Sequence, residues 1–348
     1  MNTNCSYLSE NIESASESII YSFVKSYSGR IVITNQNYKT IANEACLSCK
    51  CSELDLSQSN IEHIRDDAFC GCTNLVKLLL PDTLISIGPN SFALTSISSV
   101  HFGPNLKGMS GYSFNQCPNL NNFSIDPNNT FFTVVNNFVL SKDLTTIVRT
   151  PIDFEMDDIP NKENITSLSY SFCSGASIHR FIGWKTLTNL SSVGFHSNNF
   201  LEYVDLSMTQ ISVLEYVAFH WLPNLKTIIL PPCLTELKES SINQVIQLRV
   251  LSLPASVNII ADSCFSESRN LRIICYYGSV SFAGRNLLYN CPSMKYVRVA
   301  PWYPSDKFSS FSVSFDVYKL GETLTSCPTI KNIPVSFQFQ FLYCFILL

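Results

Sequence analysis

A period of about 23 residues runs through most of the chain and constrains its fold more than any other feature. Large apolar residues recur at one position of this period, which we call the anchor position. The ten anchors are Cys46, Phe69, Phe92, Phe114, Phe172, Phe195, Phe219, Ile242, Phe265 and Leu288. Eight of the nine intervals are 22–24 residues long, and the interval after Phe114 is 58. A fixed period of this length indicates stacked coils that each bury their inward residues against two neighbours.

Each coil also carries an alternating apolar pair about nine and eleven residues after its anchor. The pairs are Leu54/Leu56, Leu78/Leu80, Val100/Phe102, Phe123/Ile125, Val204/Leu206, Ile228/Leu230, Leu251/Leu253, Ile274/Tyr276 and Val297/Val299. Alternation with a period of two predicts one short strand per coil, with the pair pointing inward. Prolines at positions 81, 104, 231 and 254 end the strand in four coils. The segment around the anchor has room for a turn or a short helix on the opposite face.

These columns resemble a known family, the BspA-like leucine-rich repeats. The resemblance is carried by Leu84–Gly88, by Phe92, by the stretch AFCGCTNL at residues 68–75 and by Leu80–Pro81. It extends over roughly residues 30 to 300 and weakens around Ile165–Trp184 and at Ile242. It implies an α/β leucine-rich-repeat solenoid: a curved right-handed superhelix with a parallel β-sheet on the concave face and turns or short helices on the convex face. Family members are surface antigens of bacteria and protists, associated with adhesion and host-matrix binding.

The repeat boundaries predict four segments. Residues 1–30 form an N-terminal helical cap, since Ile12, Ile19 and Phe23 share one helical face. Residues 31–300 form the solenoid, with a β-meander inserted at about 126–160 that projects from one edge. Residues 301–334 form a C-terminal cap. The alternatives for the apolar tail 335–348 are an extra edge strand, an aggregation-prone segment and the start of an anchor. Its 14 residues make about 21 Å of helix, short of the ~30 Å membrane core, so we predict no complete membrane span.

Cysteine and histidine offer the candidate sites for metal or nucleophilic chemistry. Cys46 and Cys49 have zinc-like spacing, but Cys49, Cys72, Cys117 and Cys291 all lie three residues after an anchor. That recurrence favours buried structural thiols over zinc or an inter-coil disulfide. Cys173, His196 and His220 follow three consecutive anchors and could hold a metal, yet no carboxylate stands in that column. We therefore predict no metal, no cofactor and no enzymatic activity.

The outward positions of the strands form the predicted binding face. They comprise Asp55, Lys77, Leu79, His101, Arg180, Tyr203, Asp205, Thr227, Ile229, Tyr296 and Arg298. A mixed face of tyrosine, arginine and aliphatic residues suits a protein partner, because aromatic and arginine side chains dominate the energetics of protein interfaces. A net charge of -4, with basic residues scattered singly, argues against nucleic acid as a partner.

The function predicted from these features is a non-enzymatic, protein-binding scaffold at the cell surface. Its partner would be a protein, such as a host or extracellular-matrix protein. The first thirty residues show no signal peptide, so an intracellular scaffold of the same fold is the alternative. A metal-dependent enzyme is a distant third. The apolar tail offers a membrane contact without a complete span.

Overall fold

The computed structural model describes residues 28–34, 36–276, 278–282, 284–300 and 303–309, and the backbone of residues 316–319. The predicted N-terminal cap, apart from residues 28–30, and the apolar tail lie outside this range, and the predicted C-terminal cap lies inside it only in part. The described residues form a stack of coils joined by parallel strand pairing. They contain no α-helix, and two short 3-10 turns lie at Gly111–Phe114 and Met156–Asp158. The segment around the anchor therefore forms turns, the first of the two predicted possibilities.

Twenty-three strands are found in the described residues. Before and within the long interval they are β1 (Arg30–Val32), β2 (Thr40–Ile41), β3 (Glu53–Asp55), β4 (His63–Ile64), β5 (Lys77–Leu79), β6 (Ser86–Ile87), β7 (Ser99–Phe102), β8 (Asn122–Ile125), β9 (Phe132–Val135), β10 (Phe138–Ser141) and β11 (Thr146–Arg149). After it they are β12 (Ser167–Leu168), β13 (Arg180–Ile182), β14 (Asn189–Leu190), β15 (Tyr203–Asp205), β16 (Val213–Leu214), β17 (Thr227–Ile229), β18 (Glu236–Leu237), β19 (Val250–Leu253), β20 (Ile259–Ile260), β21 (Ile273–Tyr276), β22 (Tyr296–Val299) and β23 (Asp316–Lys319).

The prediction of one strand per coil is wrong, because most coils contribute two. The longer strand follows the anchor and pairs in parallel with its neighbours in the orders β1-β3-β5, β7-β8, β13-β15-β17 and β19-β21-β22-β23. We call these the long strands, and their outer side the long-strand face. A two-residue strand precedes the anchor and pairs in the orders β2-β4-β6 and β16-β18-β20. The second residue of this short strand, such as Ile64 or Leu214, is fully buried. It lies five residues before the anchor of its coil.

The anchor turns form a further ladder of backbone hydrogen bonds. The amides of Asp67, Phe69 and Gly71 donate to the carbonyls of Pro89, Ser91 and Ala93 in the next coil at 2.7–3.0 Å. The residues two before and two after many anchors have positive φ, for example Asn90 at 55° and Leu94 at 59°. The bonds to the next coil come from every second amide of the turn, while the amides between them, those of Ala68 and Cys70, bond within their own coil. All ten anchors lie in the core, where a large side chain contributes about 1.5–3 kcal/mol.

The insertion between Phe114 and Phe172 is an antiparallel meander that separates two cores. β9 and β10 meet at Asn136 and Asn137, both with positive φ, as a tight hairpin requires. β10 pairs antiparallel with β11, and β11 lies parallel to β12.

Residues of the meander alternate between the two cores. We call the cluster from Ile31 to Ile152 the first core and the cluster from Phe138 to Phe308 the second core. Val139 and Val148 pack in the first core, whereas Phe138, Leu140 and Ile147 pack in the second. Strands β10 and β11 therefore form a partition that is buried on both faces, and the meander does not project from an edge.

Candidate binding surface

The structure distributes the predicted face residues over three levels of exposure. Lys77, His101 and Arg180 are exposed, whereas Leu79, Tyr203, Asp205, Thr227, Tyr296 and Arg298 are half-buried. Asp55 and Ile229 are buried, with 5% and 3% of their surfaces exposed. Two of the eleven predicted face residues are therefore covered in the folded chain.

At the N-terminal end, ion pairs connect three neighbouring long strands. Arg30 Nε lies 3.1 Å from Glu53 Oε1, and Lys77 Nζ lies 2.9 Å from the same oxygen. Arg30 also pairs with Asp55, which accepts hydrogen bonds from Ser57 as well. Burial raises the pKa of Asp55, but these hydrogen bonds outweigh it and hold that pKa below its usual value. These charges neutralise one another, so this end of the face has little charge to offer a partner.

The middle of the face presents an open cluster on β13, β15 and β17. Strand register places Arg180 beside Tyr203, Tyr203 beside Thr227, and Ile182 beside Asp205. The guanidinium carbon of Arg180 lies 4.9 Å from the centre of the Tyr203 ring, and the Tyr203 hydroxyl donates to Asp205 at 3.2 Å. We call Arg180, Ile182, Tyr203, Asp205 and Thr227 the Arg180 patch. Its cation–π pair and hydrogen bond fix two long side chains before any partner arrives.

Toward the C-terminal end the long-strand face becomes apolar and covered. Val250, Ile273 and Cys275 occupy outward positions of β19 and β21, and all three are buried. Beyond them Tyr296 and Arg298 on β22 are half-buried. The outward positions therefore do not form one uniform surface, and the Arg180 patch lies between a neutralised end and a covered end.

Sequence reasoning missed Ile182, which is 42% exposed within the patch, and it missed Arg30 and Glu53. The sequence did carry a signal for these residues, because the positions on either side of each inward strand residue are outward positions. At Ile182 the pattern was weak, because the inward residue of β13 is Phe181 and no second apolar partner stands at Gly183.

The proposed column of Cys173, His196 and His220 is only partly assembled. The two imidazole rings stack with centroids 5.3 Å apart and planes 7° apart. His220 Nδ1 lies 3.0 Å from Asn243 Oδ1. Cys173 is completely buried, and its Sγ lies 3.7 Å from the Gly194 carbonyl oxygen.

Burial also sets the protonation of this column. It lowers the pKa of His196 to about 4, helped by the nearby His220, and it lowers the pKa of His220 as well. It raises the pKa of Cys173 to about 12. Within the described part of the chain, no three His, Cys, Asp or Glu side chains are grouped to hold a metal ion.

Three thiols meet in the first core. Cys49 Sγ lies 3.0 Å from Cys51 Sγ and 2.9 Å from Cys72 Sγ in the next coil, and all three side chains are buried. Hydrogen bonds from Cys51 and Cys72 lower the pKa of Cys49, while hydrogen bonding and burial raise that of Cys72. Ten of the eleven described cysteines are free thiols, and Cys275 is disulfide-bonded.

A family model described as the BspA type leucine rich repeat region matches residues 39–151 and 188–312, in six copies. The chain belongs to this family. The BspA-type match includes the meander, and it leaves out residues 152–187, which hold the coil of Phe172 and the first strand of the Arg180 patch.

Solved structures agree on the fold. The chain is similar to the pneumococcal vaccine antigen PcpA, with 18% identity and a TM-score of 0.55 over 81% of this chain and 70% of that one. It is similar to a leucine rich cell surface protein from Faecalibacterium prausnitzii A2-165, with 17% identity and a TM-score of 0.55 over 78% and 73%. A search of the curated proteins found no match.

The BspA-type array is therefore a leucine-rich-repeat scaffold, of the kind that binds proteins. In the part of the chain that is described, no helix combines the length and apolar character needed to span a membrane.

Proposed function

We propose that this protein is a non-enzymatic scaffold of the cell surface that binds a protein partner through the Arg180 patch. The observation that carries the proposal is the geometry of Arg180, Tyr203 and Asp205 on adjacent strands. The few residues that supply most of the binding energy of protein interfaces are enriched in arginine and tyrosine, and a side chain that is already fixed loses little entropy on binding.

The backbone beneath the patch is rigid. Register-matched parallel strands hold Arg180, Tyr203 and Thr227 in a row, and Phe181, Val204 and Ile228 anchor the same strands in the second core. A partner would therefore meet a preformed surface rather than a loop that must first order itself. Similarity to PcpA and to a bacterial cell surface protein supports a location outside the cell.

A second candidate, an intracellular scaffold of the same fold, is favoured by the ten free thiols. Free cysteines are common where glutathione keeps thiols reduced, whereas the bond at Cys275 is of the kind that persists in oxidising compartments. Labelling intact source cells with a membrane-impermeant biotin reagent separates the two. A labelled chain supports the surface scaffold, and a chain labelled only after lysis supports the intracellular one.

Binding through the patch is tested with a panel of immobilised extracellular-matrix proteins. The double change Arg180→Ala and Tyr203→Ala should weaken binding to the responsive protein at least tenfold, or about 1.4 kcal/mol. Tyr216→Ala is the matched control, because Tyr216 is 50% exposed and lies next to the anchor turn of Phe219. Equal losses in both variants, or none, would count against the patch.

A further inference from the structure

Arg149 is the most unusual charged residue of the molecule. It ends β11, the last strand of the partition between the two cores, and none of its surface is exposed. Its Nη1 donates one long hydrogen bond, 3.5 Å, to the Gly111 carbonyl oxygen. Its Nε and Nη2 have no partner among the described residues. A buried guanidinium with unmet donors costs several kcal/mol unless an anion accompanies it.

No described side chain supplies that negative charge. Arg149 takes part in none of the ion pairs between described residues, and the ionisable groups that act on it are the thiols of Cys117 and Cys173. Burial raises the pKa of both thiols, that of Cys173 to about 12, so both are neutral at physiological pH. The guanidinium itself stays protonated, because burial cannot bring an arginine pKa down to neutrality.

Two further hydroxyl groups lack partners at the same junction. Thr150 Oγ1 and Ser171 Oγ are both buried and have no hydrogen-bond partner among the described residues. The Thr150 amide donates to the Phe172 carbonyl at 2.9 Å, which brings Thr150 beside Ser171. Gly111, whose carbonyl accepts from Arg149, is packed on the Ser171 backbone so closely that a Cβ there would lie 2.3 Å from the Ser171 carbonyl oxygen.

The repeat explains why these groups collect here. The anchor turn of Phe114 is followed in space by that of Phe172, although 58 residues separate the two anchors in sequence. The 3-10 turn Gly111–Phe114 replaces the regular anchor turn on one side. The regular inter-coil ladder gives way at this junction, and the side chains of Arg149, Thr150 and Ser171 are left with unused donors.

We propose that a small monovalent anion, a halide, binds between Arg149, Thr150 and Ser171. The candidate donors are Arg149 Nε–H, Arg149 Nη2–H and the hydroxyls of Thr150 and Ser171, which are the unpaired side-chain donors at this junction. A halide accepts several hydrogen bonds and neutralises the guanidinium, which a water molecule cannot do. All three side chains are buried, so we restrict the proposal to a small ion. The ion would join the coil of Phe114, the partition and the coil of Phe172.

The test is halide-dependent stability of the full chain. The protein is exchanged into sodium gluconate and titrated with sodium chloride or sodium bromide at constant ionic strength, and the thermal midpoint is recorded. A binding ion raises the midpoint with the logarithm of its concentration above its Kd. We expect chloride and bromide to raise it, and we expect no such rise in Arg149→Met. Arg65→Met, a change at an exposed arginine outside the Arg180 patch, should keep the wild-type dependence.

Two further measurements keep the proposal falsifiable if Arg149→Met does not fold. Thr150→Val preserves shape and should raise the half-saturating halide concentration about tenfold, the effect of one hydrogen bond to a charged group, whereas Thr73→Val at an exposed position should not. Crystals soaked in bromide should show an anomalous peak within hydrogen-bonding distance of Arg149 Nη2. A wild-type midpoint insensitive to halide, together with no peak, would mean that buried water satisfies these donors and would overturn the proposal.

Discussion

The two cores on either side of the partition both bury a column of anchors, but the anchors differ in their side chains and in how their rings pack. In the first core, Phe69, Phe92 and Phe114 stack with centroids 5.3 and 5.4 Å apart and planes 4° and 12° apart. In the second core, Phe172 meets Phe195 edge-on at 75°, and Phe195 stacks on Phe219.

In the second core the stack of aromatic anchors ends at Phe219. The next anchor is Ile242, so no ring follows Phe219, and Phe265 and Leu288 complete the column. All of these anchors are buried. The difference shows that every anchor must supply apolar volume at a fixed place in the coil. Ring stacking adds further stabilisation, and whether it forms depends on the two neighbouring anchors.

Removing one ring from each core should reveal how much ring stacking adds to the free energy of unfolding. Phe92→Ala and Phe219→Ala should each destabilise the protein by about 3–5 kcal/mol, through lost burial and the cavity left behind. Phe92→Ala should cost about 1 kcal/mol more, because Phe92 stacks on two rings and Phe219 on one among the described residues. Urea unfolding measures both. Equal costs would show that stacking adds nothing to apolar volume here.

The partition allows a test in which neighbouring residues affect different cores. Leu140 packs in the second core and Val139 in the first, and both are fully buried on β10. Leu140→Ala should cost about 2–5 kcal/mol, and Val139→Ala about 1 kcal/mol less, because one carbon fewer is removed. Hydrogen exchange should accelerate in the second core for Leu140→Ala and in the first for Val139→Ala. Identical exchange patterns would mean that the two cores unfold as one.

The sequence predicted the array well because large apolar side chains must be buried at every turn. Anchors such as Phe69 and inward pairs such as Val204 and Leu206 lie where the period put them. The two-residue strands were missed because one buried residue, such as Leu237, is too short a signal for a strand. The anchor-turn ladder was missed because positive φ at Leu94 or Val217 contradicts their usual preference and is imposed by the neighbouring coils.

The candidate site was less predictable than the array. Ile229 and Asp55 stand in outward positions, yet both are buried in the folded chain. The pairing of Arg180 with Tyr203 depends on a register between coils 23 residues apart, which the period supplies only where the repeat is regular. The burial of Arg149 could not be read from the sequence, because it depends on how the partition fits between the two cores.

Lowering the pH should destabilise the folded protein, because His196 must take up a proton on unfolding. Its pKa of about 4, lowered by burial and by His220, compares with about 6.5 for an exposed histidine. Between these values the unfolded chain binds a proton that the folded chain does not, so stability should fall as pH drops from about 6.5 to about 4 and should be unaffected above 6.5. Denaturant midpoints measured across this range should fall less steeply in His196→Gln. Parallel profiles for the two proteins would contradict the assignment.

The smallest expected effects are changes in thiol labelling, and they report on each core separately. Cys49, Cys51 and Cys72 are buried in the first core and Cys264 in the second, whereas Cys70 and Cys233 are partly exposed. In the native protein, iodoacetamide should modify Cys70 and Cys233 first, since alkylation of a buried thiol must wait for local or global opening.

The labelling rates of the buried thiols then connect the two cores to their anchors. In a stack whose stability is a sum over neighbouring coils, loosening one core should raise opening chiefly nearby. Phe92→Ala should therefore speed modification of Cys49 and Cys72 while leaving Cys264 almost unchanged, and Phe219→Ala should do the reverse. Peptide mass mapping at timed intervals measures every site in one experiment. If either substitution accelerated all four buried thiols equally, the partition would transmit unfolding across the chain, and the two cores would form a single cooperative unit.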